Sequence, residues 1–228
     1  MAGQATTLGK SAMGGALHGD SSLKVASKTP ERFRADAVTS IDWSNINYPP
    51  GIRLVHFNPD ELPTPVARLA RVLHGMFVVT SIVLLANIVH SVVLVIGGLP
   101  ASRIGYTIPS AFILTPASGA TFYQGYVALA ISDEKKKKRY FLFQSIFLTV
   151  ALFLFVSPLG SANGLLALSS MQSKIQRYHL SSGMHTFWVY AAGLESTLWF
   201  TAFLLGAYGM AGVRRFNPYH SEASRSPA

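Results

Sequence analysis

The sequence predicts an all-α integral membrane protein, a four-transmembrane-helix bundle with cytosolic N- and C-terminal tails. Three observations carry that prediction. Of 228 residues, 50% are hydrophobic and only 13% charged, against about 25% charged in a soluble domain. Long runs without any acid or base recur along the chain. Finally, the formal net charge of +9 is carried by tails and short loops, which points to anionic lipid as the partner of the basic excess.

Residues 1–45, rich in Ser, Ala, Gly and Lys, read as a disordered cytosolic tail. With Asp20, Glu31 and Asp36 as the acids before position 40, their composition also resembles an organellar transit peptide. No secretory signal is expected, because an apolar core of about 7–15 residues is missing from that stretch. Residues 46–72 form a pre-membrane segment that ends on Arg68 and Arg71.

From Val72 to Ser102 no charge occurs, which exceeds the roughly 20 residues a spanning helix needs. This places span one at about 73–96. A second charge-free run separates Arg103 from Asp133, and span two is expected at about 104–121. Residues 122–139 are expected to be a basic interfacial loop. Span three, YFLFQSIFLTVALFLFVSPLG, covers about 140–158 and exits at Ser157-Pro158-Leu159-Gly160. In the next connection Met171, Ile175 and Tyr178 share one helical face, as in a short interfacial helix. Span four covers about 187–213, and residues 214–228 form a second cytosolic tail.

Orientation follows from the basic flanks. Arg68 and Arg71 precede span one, Lys135 to Arg139 lie between spans two and three, and Arg214 and Arg215 follow span four. The opposite connections hold only Arg103 in one and Lys174 and Arg177 in the other. The positive-inside rule then puts both tails and the middle loop in the cytosol.

The middle loop is the candidate lipid-binding element. Phe122, Tyr123, Gln124 and Tyr126 supply aromatic and polar groups suited to the headgroup level. Lys135, Lys136, Lys137, Lys138 and Arg139 would sit in the negative potential of the leaflet, at about 1 kcal/mol each. The same run also serves as a topology signal between spans.

Glu195 is an acid inside a span and therefore a candidate intramembrane polar site, with Asn87. Its candidate partners across the bundle are His74, His90, His185 and Asn87. A proton relay and a packing role are both open. The histidines show no zinc-ligand spacing, so no metal and no cofactor is expected. The absence of cysteine excludes disulfides, thiol nucleophiles and S-palmitoylation. Gly193, Gly206, Gly209 and Gly212 give small-residue spacings that favour close helix contact, inside the bundle ahead of a dimer face. No phosphate loop, dinucleotide fingerprint or nucleophile elbow occurs, and no nucleic-acid surface is legible. No enzyme activity is predicted.

Several motifs, in order, resemble the secretory carrier membrane protein family. Asn47-Tyr48-Pro49-Pro50 is similar to the Trp-Pro-Pro ahead of that family's first span, and Glu61-Leu62-Pro63 to its Glu-Ile-Pro. Leu84-Leu85-Ala86-Asn87 is similar to its Leu-Phe-Leu-Asn. Thr115-Pro116-Ala117-Ser118, Phe122-Tyr123-Gln124 and Ser132-Asp133 resemble its stretch between spans two and three. The resemblance covers roughly 45–215. Where the family has Cys, Arg and Pro in this stretch, Thr121, Gln124 and Gly125 stand here. The tail lacks the Asn-Pro-Phe repeats of typical members; Asn58-Pro59-Asp60 and Asn217-Pro218-Tyr219 are partial echoes.

The resemblance implies a tetraspan protein of secretory and endosomal vesicles, the Golgi or the plasma membrane. It would act in trafficking and recycling, with acidic phosphoinositides on its middle loop and cytosolic trafficking proteins on its tails. A homo- or hetero-oligomer in the membrane is compatible with it. Two alternatives come from the residues themselves: an accessory subunit of a mitochondrial inner-membrane complex, and a small proton-coupled transporter using Glu195.

Overall fold

The computed structural model describes residues 41–157 and 163–216. Most of the expected N-terminal tail, the Pro158-Leu159-Gly160 exit and Asn217-Pro218-Tyr219 lie outside the described residues. Ile41, ahead of the expected boundary at position 46, is buried against the core.

Five α-helices are described: α1 (Thr64–Ile96), α2 (Ser102–Ala130), α3 (Glu134–Val156), α4 (Ala167–Tyr178) and α5 (Ser182–Arg215). By length and composition α1, α3 and α5 can each cross a membrane, with mean hydropathy 2.4, 1.8 and 1.3 over their apolar stretches. Helix α2 is 29 residues long but is diluted by Ser, Thr, Gly and Pro, and is not among them.

The ends of these helices follow from local chemistry. Pro63 and Pro65 bracket the start of α1. Its other end is a Gly-Gly stop, with Gly98 at φ 114°, a conformation that costs glycine little. The Gly98 amide donates to Val95 O and the Leu99 amide to Leu94 O. Leu94 and Leu99 pack in one cluster, the apolar contact that accompanies this kind of helix stop. Within α2, Pro109 and Pro116 remove backbone donors. The hydroxyls of Ser110, Ser118 and Thr121 bond carbonyls of their own helix.

Helix α2 runs nine residues past the expected span end at Thr121, so the middle connection shrinks to Ile131, Ser132 and Asp133. Asp133 caps α3, accepting from the amides of Lys135 (2.7 Å) and Lys136 (3.3 Å). The basic run expected in a loop is therefore the opening of a helix. An N-cap aspartate ahead of helix-favouring Glu and Lys explains the difference. At its other end α5 starts with a Ser181 cap on the Met184 amide, at 3.3 Å, ahead of the expected 187.

Helices α1, α2, α3 and α5 form an up-and-down bundle. Gly119 meets Phe77 and Gly125 meets Leu73, so α2 runs antiparallel to α1. Helix α5 is also antiparallel to α1, as its Gly212, Gly209 and Gly206 meet Leu69, Leu73 and Met76 in turn. Tyr140 reaches Gly125 and Gly209, while Phe155 faces Phe200 at 5.1 Å, so α3 runs parallel to α1. The near end of the bundle thus holds Thr64, Ala130, Glu134 and Arg215. The far end holds Ile96, Ser102, Val156, α4 and Ser182. Gly206, Gly209 and Gly212 of α5 serve internal packing, a Cβ at Gly206 standing 2.5 Å from Gln144 Nε2, but Gly193, expected with them, has nothing within 4 Å.

Helix α4 carries the predicted face. Met171 is buried, and Ile175 and Tyr178 pack with it against Leu94, Leu99, Trp188 and Ala192.

The pre-membrane segment is folded onto the near end. Tyr48 and Val55 form an antiparallel bridge around the Pro49-Pro50-Gly51 turn, whose Tyr48–Pro49 bond is cis. Ahead of it the Ser44 hydroxyl and amide bond the Asp42 carboxylate and hold it below the usual range. A 3₁₀ turn, Pro59–Glu61, leads into α1.

Candidate functional site

The basic helix start is one candidate site. Lys135, Lys138 and Arg139 are exposed, Glu134 is exposed beside them, and Lys136 and Lys137 are half-buried. Lys137 leans across to α5, donating to the Phe216 carbonyl at 3.1 Å, and stands 3.5 Å from Glu134. The run therefore presents its charge at the near end, beside Arg214 and Arg215 in the last turn of α5. Cations there also suit the negative end of the α5 dipole.

The aromatic part of the expected lipid site is turned elsewhere. Phe122 and Tyr126 are buried within the protein, while Tyr123 and Gln124 are half-buried. Phe122 stacks on Phe77 at 5.8 Å and meets Phe57 edge-on at 5.0 Å. The Tyr126 hydroxyl accepts from the Asn58 amide (3.2 Å) and pairs with the Asn58 carbonyl (3.3 Å). These rings dock the pre-membrane segment and do not form a free aromatic surface. That segment is held from its own side as well. His56 bonds Asn45 O through Nδ1 (2.8 Å) and Glu61 through Nε2 (3.0 Å), and the Tyr48 hydroxyl bonds His74 Nε2 at 2.8 Å.

The second candidate site is at the far end. Glu195 on α5 is fully buried, and its carboxylate meets four groups. Asn87 Nδ2 donates to Oε2 at 2.8 Å, and His90 Nδ1 lies 2.7 Å from Oε1. Asn163 adds its side-chain amide at 2.7 Å and its backbone amide at 3.2 Å. Of the partners the sequence suggests, α1 supplies Asn87 and His90, three residues apart on one helical face. His74 and His185 are placed elsewhere, His74 against Tyr48 and His185 in the first turn of α5.

Asn163 and its neighbours are the functional residues that sequence reasoning missed. The Asn163 carbonyl oxygen Oδ1 accepts from Arg103 Nη2 (2.6 Å) and Trp188 Nε1 (2.9 Å). Its backbone carbonyl accepts from Ser196 at 3.1 Å. The Arg103 guanidinium lies 5.7 Å from the Trp188 ring centroid, a favourable cation–π distance. One asparagine thus links the buried acid to an arginine through its side chain. A carboxylate has about four acceptor positions, and protein groups occupy as many here. The arrangement joins α1, α2, α5 and the segment after α3, with the acceptor positions of the carboxylate filled by protein groups. The one usable sequence signal was Arg103 at the mouth of a span, which reads equally well as a topology charge.

A protein-family model, described as the SCAMP family, matches residues 45–216. The chain belongs to the SCAMP family. No curated protein and no solved structure matches it. As a SCAMP-family member it is an integral membrane protein with a role in membrane trafficking, in a family not known as enzymes. The SCAMP match begins at residue 45, within the segment that packs ahead of α1. The motifs that resembled the family fall at packing points of this fold. Tyr48-Pro49-Pro50 makes the docked hairpin, Asn87 holds Glu195, and Phe122 anchors Phe57 and Tyr48.

Proposed function

We propose that this SCAMP-family chain is a four-span protein of secretory and endosomal vesicles with both tails cytosolic. In this reading it acts in trafficking and recycling, and holds acidic phospholipid through Lys135, Lys136, Lys138 and Arg139, with Lys137 shared between lipid and α5. The observation that carries the reading is the clustering of charge at the near end. Arg68, Arg71, Lys135 to Arg139, Arg214 and Arg215 gather there, on the turns that open or close α1, α3 and α5. A cytosolic leaflet attracts such residues at about 1 kcal/mol each. Tyr123 and Gln124, half-buried, lie about two turns before the end of α2.

Binding of a soluble short-chain phosphoinositide to the detergent-solubilised full chain tests this. Replacing Lys135 to Lys138 with alanine removes several kcal/mol at about 1 kcal/mol per residue. Affinity is therefore expected to fall by more than tenfold at low salt, since about 1.4 kcal/mol is a factor of ten, and the parent's affinity to fall as salt rises. Equal affinity of the variant and the parent sinks the lipid contact. A C-terminal tag accessible from the cytosol on Golgi, endosomal or plasma membranes supports the cellular assignment, and a mitochondrial tag overturns it.

A further inference from the structure

The pre-membrane hairpin leaves an apolar tip that nothing among the described residues covers, and its position along the bundle decides what covers it. Tyr48 contacts His74 (5.2 Å) and Phe77 (6.4 Å) on α1 and Phe122 (6.1 Å) on α2. Phe77 lies 13 residues into α1, about 20 Å from its start at about 1.5 Å per residue. Phe122 lies eight residues before the end of α2, about 12 Å by the same rise. A residue touching both rings cannot cap the end of these helices; it lies against the flank of the α1–α2 pair. Phe77 also lies six residues beyond Arg71, the last charge before the apolar run, about 9 Å deeper along the axis. The hairpin therefore reaches the depth at which α1 has already entered its apolar stretch.

Its outer surface suits that depth. Ile52 is 70% exposed, Leu54 67% and Ile46 47%. Tyr48 and Val55 are bridged partners and share the inward face, so alternation along the strand turns Leu54 outward. Several backbone amides of the turn bond within it. The amides of Ile52 and Arg53 bond Pro49 O, those of Leu54 and Val55 bond Tyr48 O, and Pro49 and Pro50 have no amide hydrogen to satisfy. Each amide bonded in this way lowers the cost of bringing irregular backbone near lipid. Arg53, exposed between Ile52 and Leu54, places a cation where a long side chain can snorkel to phosphate.

We infer that the hairpin around residues 46–55 is a membrane-inserted wedge, seated at the headgroup–acyl boundary of the leaflet at the near end. Ile52, Leu54 and Ile46 lie in lipid and Arg53 lies at the phosphates. The wedge is separate from the lysine contact proposed above and rests only on α1 crossing the bilayer.

The chain has no cysteine, so single-cysteine variants of the full protein report one site each. Ile52→Cys and Leu54→Cys, both at exposed positions, are labelled with an environment-sensitive fluorophore and reconstituted into liposomes. Leu85→Cys, on the exposed side of α1, is the reference. With spin-labelled lipid quenchers at a shallow acyl position, the hairpin labels are expected to lose about twofold of their emission, at the roughly 5–10 Å depth of interfacial segments. Aqueous iodide is expected to leave them largely unquenched. Iodide quenching without lipid quenching overturns the wedge. Protection from both quenchers also overturns it, since a protein surface then covers the tip. A Leu85 label that escapes lipid quenching overturns instead the membrane placement of α1, so the two failures are told apart.

Discussion

At the scale of single residues the far-end network decides most. Glu195 sits at the bottom of four contacts, and each depends on its oxygens acting as acceptors. Replacing it with Gln keeps the size but turns one acceptor into a donor facing donors. It also leaves Arg103, linked through Asn163, without its nearby acid. Unsatisfied buried groups cost about 1–3 kcal/mol, and a broken buried charge relationship more. We expect Glu195→Gln to lower unfolding stability in detergent by roughly 2–4 kcal/mol. An unchanged unfolding midpoint would show that the acceptor role of the carboxylate carries no weight. The acid itself was legible, because a lone carboxylate within an apolar run must find partners. Asn87 and His90 were legible as polar residues on a facing span. Asn163 was not, since nothing in a 32-residue separation on the chain says that a loop amide folds back into the bundle.

Among elements, α3 and α5 show where reading a sequence works and where it stops. Apolar runs located α1, α3 and α5 because burial in lipid demands them over a fixed length. The extension of α2 to Ala130 and the helical start at Glu134 were hidden by the assumption that a charged run is a loop. Charge does not break a helix; the Asp133 cap and the absence of glycine or proline beyond it sustain one. Phe122 and Tyr126 were hidden for another reason. A membrane helix is apolar on all sides, so periodicity does not reveal which ring faces lipid and which faces a neighbour. Glycine spacing was more informative. A Cβ at Gly206 meets Gln144, Leu148 and Met76 within 3.1 Å, whereas nothing lies within 4 Å at Gly193. Gly206→Ala is expected to destabilise by about 1–3 kcal/mol through overpacking. Gly193→Ala is expected to be neutral or to stabilise by up to about 1 kcal/mol through helix propensity. Thermal unfolding of both variants under one condition measures the contrast, and equal shifts contradict this packing of α5 on α1 and α3.

For the whole molecule the open question is whether α2 crosses the bilayer, since its composition leaves it outside the clearly apolar helices while the bundle gives it a full partner's place. Helix α1 begins at the near end and stops at the Gly97-Gly98 turn; α3 begins at the near end, with Tyr140 against Gly125 and Gly209. Between them the chain has only α2 with which to return. Its 29 residues extend about 43 Å at about 1.5 Å per residue, more than the roughly 30 Å of a hydrocarbon core. Several of its hydroxyls are bonded inside the bundle or to its own backbone, Thr107 to Ser91 of α1 at 2.9 Å and Ser110, Ser118 and Thr121 to carbonyls of α2. The proposed four-span reading expects Ala101 and Glu134, both exposed, on opposite faces. Single Ala101→Cys and Glu134→Cys variants, treated with an impermeant maleimide in sealed vesicles, report this directly. Modification of one from outside and of the other only after the vesicle is opened is the expected result. If both react from the same side, three helices cross, both tails cannot be cytosolic, and the basic run at the start of α3 lies away from the leaflet that α1 enters.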